Sequence, residues 1–145
     1  MARPTTEPLG LQLTRTAKAV SRAFDDALVE AGGSLPTWLV LVSLKGQRHG
    51  MQRELAEAVG IEGPTLTHHL NRMEADGLVR RHRPPENRRS QVVELTDEGE
   101  QRFSDLLSTV VAFDQRLTAG FDADELTTLR DLLERLRANV AADAP

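Results

Sequence analysis

The run from Met51 to Leu95 admits few folds. It begins Met51-Gln-Arg-Glu-Leu-Ala-Glu-Ala-Val-Gly-Ile and continues Glu62-Gly-Pro-Thr-Leu-Thr-His-His-Leu-Asn-Arg-Met-Glu-Ala-Asp-Gly-Leu-Val. Gly60 suits the left-handed turn that ends a helix. Pro64, four residues on, suits the start of the next, where its missing N–H costs nothing and its φ is already helical. Two short helices joined so tightly must cross, and each has an apolar stripe to bury there. In the first the stripe is Leu55, Ala56 and Val59, and Ile61 anchors the turn. In the second, expected over residues 64–76, it is Leu66, Leu70 and Met73, and Gly77-Leu78 turns the chain back into the core.

The far side of the second helix is polar. Pro64 and Thr65 open it, His68, Asn71 and Arg72 continue it, and Thr67 lies on its edge. Short hydrogen-bonding groups followed by a cation suit a helix that reads base edges while holding phosphate. A hairpin follows over residues 78–95, with β-prone runs at Leu78-Val79 and Val92-Val93-Glu94-Leu95 around a Pro84-Pro85-Glu86-Asn87 connector. Between residues 80 and 89 lie five arginines (Arg80, Arg81, Arg83, Arg88 and Arg89) and one acid, hence +5 − 1 = +4 in a chain whose total is −4. An isolated arginine cluster is most simply a solvated loop. Directly after a helix-turn-helix, phosphate is the better partner for it.

These residues resemble the multiple antibiotic resistance regulator (MarR) family of winged helix-turn-helix transcription factors, over roughly residues 10 to 140. The most specific stretch is Leu66 to Val79, then Asn87-Arg-Arg-Ser and Val93-Glu-Leu-Thr-Asp-Glu-Gly. The resemblance implies a mainly α protein: a winged helix-turn-helix lobe over 36–95 with a small antiparallel β wing, and a dimerisation lobe from helices in 9–32 and 97–141. It further implies a homodimer that binds double-stranded DNA at a near-palindromic operator. The recognition helix would enter a major groove and Arg88-Arg89 would lie against the neighbouring minor groove. A repressor released by a small-molecule effector is the expected function. The effector cleft is implied between the two lobes, near Phe24 and Trp38. This chain departs from the family in the wing, where Asp-x-Arg is usual. Here Asn87 precedes Arg89 by two, so a neutral amide is expected to hold that arginine less firmly.

The flanks fit that frame. Leu13, Ala17, Val20, Phe24 and Leu28 recur at helical spacing until Gly32-Gly33. Leu35 to Leu44 is nearly all apolar, which places a helix mid-domain, and residues 45–50 form the loop into the helix-turn-helix. Thr96 is the expected N-cap of a long helix carrying Phe103, Leu106, Leu107, Val110, Val111 and Leu117. Asp122 and Glu125 make a capping box for a last helix. Leu126, Leu129, Leu133, Leu136 and Val140 form a seam on it at alternating spacings of three and four, with Leu132 widening it. Such a seam either covers the monomer's own core or pairs with a second chain. Two terminal helices beyond a compact lobe leave little core to cover, so a dimer is expected through this seam together with Leu13 and Val20.

Composition narrows the function classes. At 145 residues the chain is expected to be one domain. With no cysteine there is no disulfide, thiolate metal site or thiol redox switch. No apolar run is long enough for a membrane span and no signal-peptide pattern opens the chain, so a cytoplasmic protein without a membrane partner is expected. His68 and His69 are neighbours whose side chains diverge by about 100° on a helix, which disfavours chelation. His49 and His82 are expected on the surface. No metal and no cofactor is expected. A nucleophile elbow, a phosphate-cradling glycine loop and an acid–base pair are all absent, so the chain is not expected to be an enzyme. The alternatives are a DNA-binding regulator without a ligand and a winged-helix protein acting only through protein partners, the latter discriminated by a mobility-shift titration.

Overall fold

The computed structural model describes residues 6–46 and 49–141. Six helices and three short strands follow in the order α1 (Leu9–Glu30), α2 (Leu35–Gly46), β1 (His49–Met51), α3 (Gln52–Val59), α4 (Gly63–Ala75), β2 (Val79–His82), β3 (Val92–Leu95), α5 (Asp97–Leu117) and α6 (Ala123–Ala141). The chain divides into two compact units, Met1–Phe113 and Asp114–Pro145.

In the first unit α2 runs through the core, as its nearly uniform hydrophobicity requires. Trp38, Val40, Leu41 and Leu44 of α2 are buried together with Leu55 of α3, Leu66, Leu70 and Met73 of α4, and Leu28 and Leu106. Removing one such leucine costs about 2–5 kcal/mol, because the site only partly collapses. The turn chemistry is as the glycines dictate. Gly60 has φ 72° and its N–H donates to the Ala56 carbonyl at 2.9 Å. Gly77 has φ 77°, and the N–H groups of Gly77 and Leu78 donate to the carbonyls of Glu74 and Met73, which satisfies the orphan carbonyls at the end of α4. Gly63 rather than Pro64 is the first helical residue of α4, one earlier than expected.

The sheet differs from the sequence expectation. It has three strands, not two, in the order β1-β3-β2 and antiparallel throughout. The stretch expected to be loop up to Gly50 carries β1, which pairs His49 with Glu94 and Met51 with Val92. So short a strand, holding a glycine, shows no alternation by itself; β3 supplies its order. Residues 47–48 of that loop lie outside the described residues. Thr96 caps α5 by accepting the Gly99 N–H at 3.0 Å. Its own N–H donates to the Leu78 carbonyl at 3.1 Å, which ties the start of the wing to the start of α5.

The second unit holds α6, opened by the reciprocal box that Asp122 and Glu125 predict. The Glu125 N–H donates to Asp122 Oδ1 at 2.8 Å and the Asp122 N–H donates to Glu125 Oε1 at 3.1 Å. No residue of α6 is buried: Leu129 is 43% exposed, Leu133 39% and Val140 72%, while Leu126 and Leu136 are half-buried.

Candidate nucleic-acid interface

The outer face of α4 follows from its inner one. With Leu66, Leu70 and Met73 buried, the 100° step leaves Pro64, Thr65, His68, Asn71 and Arg72 exposed. In the wing, Arg80, Arg83, Asn87, Arg88 and Arg89 are exposed as well. Thr67 and Arg81 are not. Thr67 Oγ1 donates to the Gly63 carbonyl at 3.0 Å and accepts from Gln52 Nε2 at 2.8 Å, so it joins α3 to α4.

Arg81 departs furthest from a freely reaching cation. In β2 the buried Val79 and exposed Arg80 set the alternation, and Arg81 therefore turns back toward α4. Its side chain is 12% exposed. Arg81 Nη2 donates to Asn71 Oδ1 at 2.6 Å and to Glu74 Oε1 at 3.1 Å, and its backbone N–H donates to Glu74 Oε2 at 3.0 Å. These bonds hold the Glu74 carboxyl below its ordinary range; the side-chain hydrogen bond from Arg81 is the largest cause, and desolvation opposes it. Arg80 contrasts with it: 69% exposed, with Glu94 across the strand pair at 3.5 Å.

Asn87 holds the wing tip in an unexpected way. Its Oδ1 accepts the Arg89 backbone N–H at 3.2 Å and its Nδ2 donates to Ser90 Oγ at 2.9 Å. The amide thus fixes the backbone of the tip, not the Arg89 guanidinium. Arg89 and Ser90 border a groove of about 650 Å³ together with Gln52, Arg53, Gly63 and Thr67. The groove joins wing, α3 and the start of α4. Gln52 and the exposed Arg53 are members of this surface that sequence reasoning passed over. Their position just before the buried Leu55 was the available signal.

Phe24 and Trp38 are each taken up by an aromatic neighbour. Phe24 lies 5.0 Å from Phe113 between ring centroids, and Trp38, 7% exposed, stacks on Phe103 at 5.4 Å and 10°. Neither borders the groove above or a second cavity of about 400 Å³, which is lined by Asp25, Thr37, His69, Arg72, Asp76 and Arg102 among others. His68 and His69 have ring centroids 5.9 Å apart, and no group of three or more metal-ligating side chains occurs among the described residues. No single described helix is long and apolar enough to cross a membrane.

Residues 34–91 match the model of the MarR family. The chain is 35% identical over 89 residues to YdgJ of Bacillus subtilis, an uncharacterized HTH-type transcriptional regulator; the match covers 61% of this chain and 54% of that protein. The chain thus spans about half the length of that relative. Solved structures are similar over most of the chain. The PcaV transcriptional regulator from Streptomyces coelicolor, in complex with its natural ligand, has a TM-score of 0.79 at 26% identity and covers 95% of this chain and 96% of its own. A mutant MarR from E. coli complexed with operator DNA also has a TM-score of 0.79 at 26% identity, over 89% of this chain and 93% of its own.

Proposed function

We propose that the chain is a winged helix-turn-helix transcriptional regulator of the MarR family, a homodimer that binds a near-palindromic double-stranded DNA operator and represses transcription until a small molecule releases it. The observation that carries this is the two-sided character of α4: Leu66, Leu70 and Met73 are buried, while Thr65, His68, Asn71 and Arg72 are exposed beside a wing of exposed arginines. Helix donors and acceptors specify bases, and the wing cations bind phosphate whatever the sequence. The apolar residues left exposed on the terminal helices, Leu13 on α1 and Leu129, Leu133 and Val140 on α6, support the dimer. Release by a small molecule is supported by the cavity that brings His69 and Arg72 of α4 together with Asp25, Thr37 and Arg102. A ligand there would contact the recognition helix directly, through His69 and Arg72.

Selection of bound fragments from a random DNA pool tests the reading. The expected product is a near-palindrome whose half-sites lie ~10 bp apart, or a multiple of that, since two-fold protein symmetry presents two equal helices. His68→Ala then changes the preferred base at one position, by roughly 1–3 kcal/mol. Arg80→Ala weakens all sequences alike and makes the salt slope shallower by about one unit. A pool that converges on no sequence would overturn the proposal.

A further inference from the structure

We propose that Arg81 is a positioning residue and not a phosphate contact: by holding the Asn71 carbonyl oxygen it turns that side chain with its N–H groups outward, so that α4 presents a donor and selects an acceptor on the base edge. This rests on the reading of α4 as the recognition helix. Asn71 and Glu74 lie three residues apart on α4, hence on one face, and a single nitrogen, Arg81 Nη2, donates to both. A guanidinium has donors only, so the amide atom facing it at 2.6 Å is the oxygen, and Nδ2 is the atom left for DNA. An unconstrained asparagine favours adenine, accepting from N6 while donating to N7. With its oxygen held by Arg81, Asn71 lacks the acceptor half of the bidentate adenine contact, and its N–H groups are better matched by guanine N7 and O6 or thymine O4.

The same contacts keep Arg81 from the backbone of the duplex. Its guanidinium is bound to a carboxylate, its Nε is buried without a protein acceptor, and its side chain is 12% exposed. Reaching a phosphate requires breaking the Glu74 pair and leaving that carboxylate beside the phosphate. Arg80, on the opposite face of β2, is 69% exposed and only loosely paired, with Glu94 at 3.5 Å. Wing and recognition helix are therefore coupled through one side chain, and the wing decides which half of the Asn71 amide DNA meets.

Selection from a random pool, repeated with variants across a salt series, tests this. Asn71→Ala flattens preference at one half-site position and so locates it; the full chain there selects guanine or thymine. Arg81→Met keeps the apolar stem without the fork, and preference at that position moves toward adenine by about tenfold, the scale of one bidentate base contact. The Arg81→Met salt slope stays that of the parent. Glu74→Ala, at an exposed position that folding tolerates, moves the preference in the same direction although it removes no cation. The proposal is overturned if Arg81→Met leaves the base preference unchanged and lowers the salt slope by about one unit. It is overturned equally if Glu74→Ala leaves the base preference at that position unchanged. Failure of the underlying reading is distinct: the unmutated chain would then enrich no sequence.

Discussion

The carbonyl oxygen of Leu78 lies 2.1 Å from where a Cβ on Gly99 would stand. Wing and α5 meet there backbone to backbone, and the same carbonyl accepts the Thr96 N–H at 3.1 Å. Neither atom can retreat without breaking a bond that caps α5 or turns the chain out of α4.

Gly99→Ala is therefore expected to destabilise the fold by roughly 1–3 kcal/mol, the usual range for overpacking, and toward the upper end because the obstacle is backbone. Gly10→Ala is the control. Gly10 is the second residue of α1 with nothing within 4 Å of an added Cβ, so the substitution is expected to be neutral or to stabilise by at most about 0.5 kcal/mol. Urea denaturation of both variants checks the contrast; a neutral Gly99→Ala would refute the close approach.

The Arg81–Glu74 pair gives stability a pH dependence of known sign. The folded Glu74 carboxyl is held below its ordinary value of 4.5, so the native state binds its proton less readily than the unfolded chain. That contribution is fully present above about pH 4.5 and is lost as pH falls through the depressed folded value. The stability difference between the parent and Glu74→Gln is expected to be constant from pH 7 to 5 and to shrink only in more acidic solution. Denaturation curves for both chains at each pH measure it, and a difference that changed between pH 7 and 6 would contradict the assignment to this carboxylate.

Local chemistry was legible in the sequence and long-range chemistry was not. Gly60, Pro64 and Gly77 marked the ends of α3 and α4 because each supplies a dihedral that few other residues supply. The Asp122–Glu125 box was readable because both its hydrogen bonds close within four residues. Arg81 counted as one more wing cation, yet the alternation from Val79 already pointed it inward, and only its partners on α4 were out of sight. Trp38 and Phe103 stack across a separation that no periodicity reveals. On α5, Leu106 is buried, whereas Leu107 and Val111 from the same apolar set are 40% and 47% exposed. Helical spacing shows that a stripe is apolar, but not how much of it a single chain covers.

The seam on α6 yields a direct test of the dimer. Leu129 and Leu133 are one turn apart and 43% and 39% exposed, and with the exposed Leu132 and Val140 they form an apolar seam on α6 of the kind that marks an interaction surface. Replacing both with Glu puts two charges where the proposed partner helix would bury them. Sedimentation equilibrium is expected to show a dimer for the parent and a monomer for the double variant, with operator affinity lost along with it. A double variant that still sedimented as a dimer would move the interface elsewhere.

At the wing tip, Asn87 uses both ends of its amide: the oxygen holds the Arg89 N–H and the nitrogen holds Ser90 Oγ. Asn87→Asp keeps the acceptor and makes it charged, which strengthens the bond to the Arg89 N–H. It loses the donor, but the Ser90 hydroxyl can rotate and donate instead. The new charge stands near phosphate, where screening over ~8 Å at physiological salt weakens its repulsion. Operator affinity of Asn87→Asp is therefore expected to match the parent within about threefold at moderate salt, and to fall below it only at very low salt. Asn87→Ala removes both bonds, frees the tip, and is expected to bind more weakly than Asn87→Asp, because ordering the loop is then left to the binding step. Arg89→Ala is expected to lose clearly more than Arg88→Ala, since Arg89 borders the groove shared with Gln52 and Thr67 and Arg88 does not. Titrating the four variants against one operator across a salt series decides the matter. Equal losses for the two arginines would remove the special place of Arg89, and an unaffected Asn87→Ala would show that the tip needs no brace.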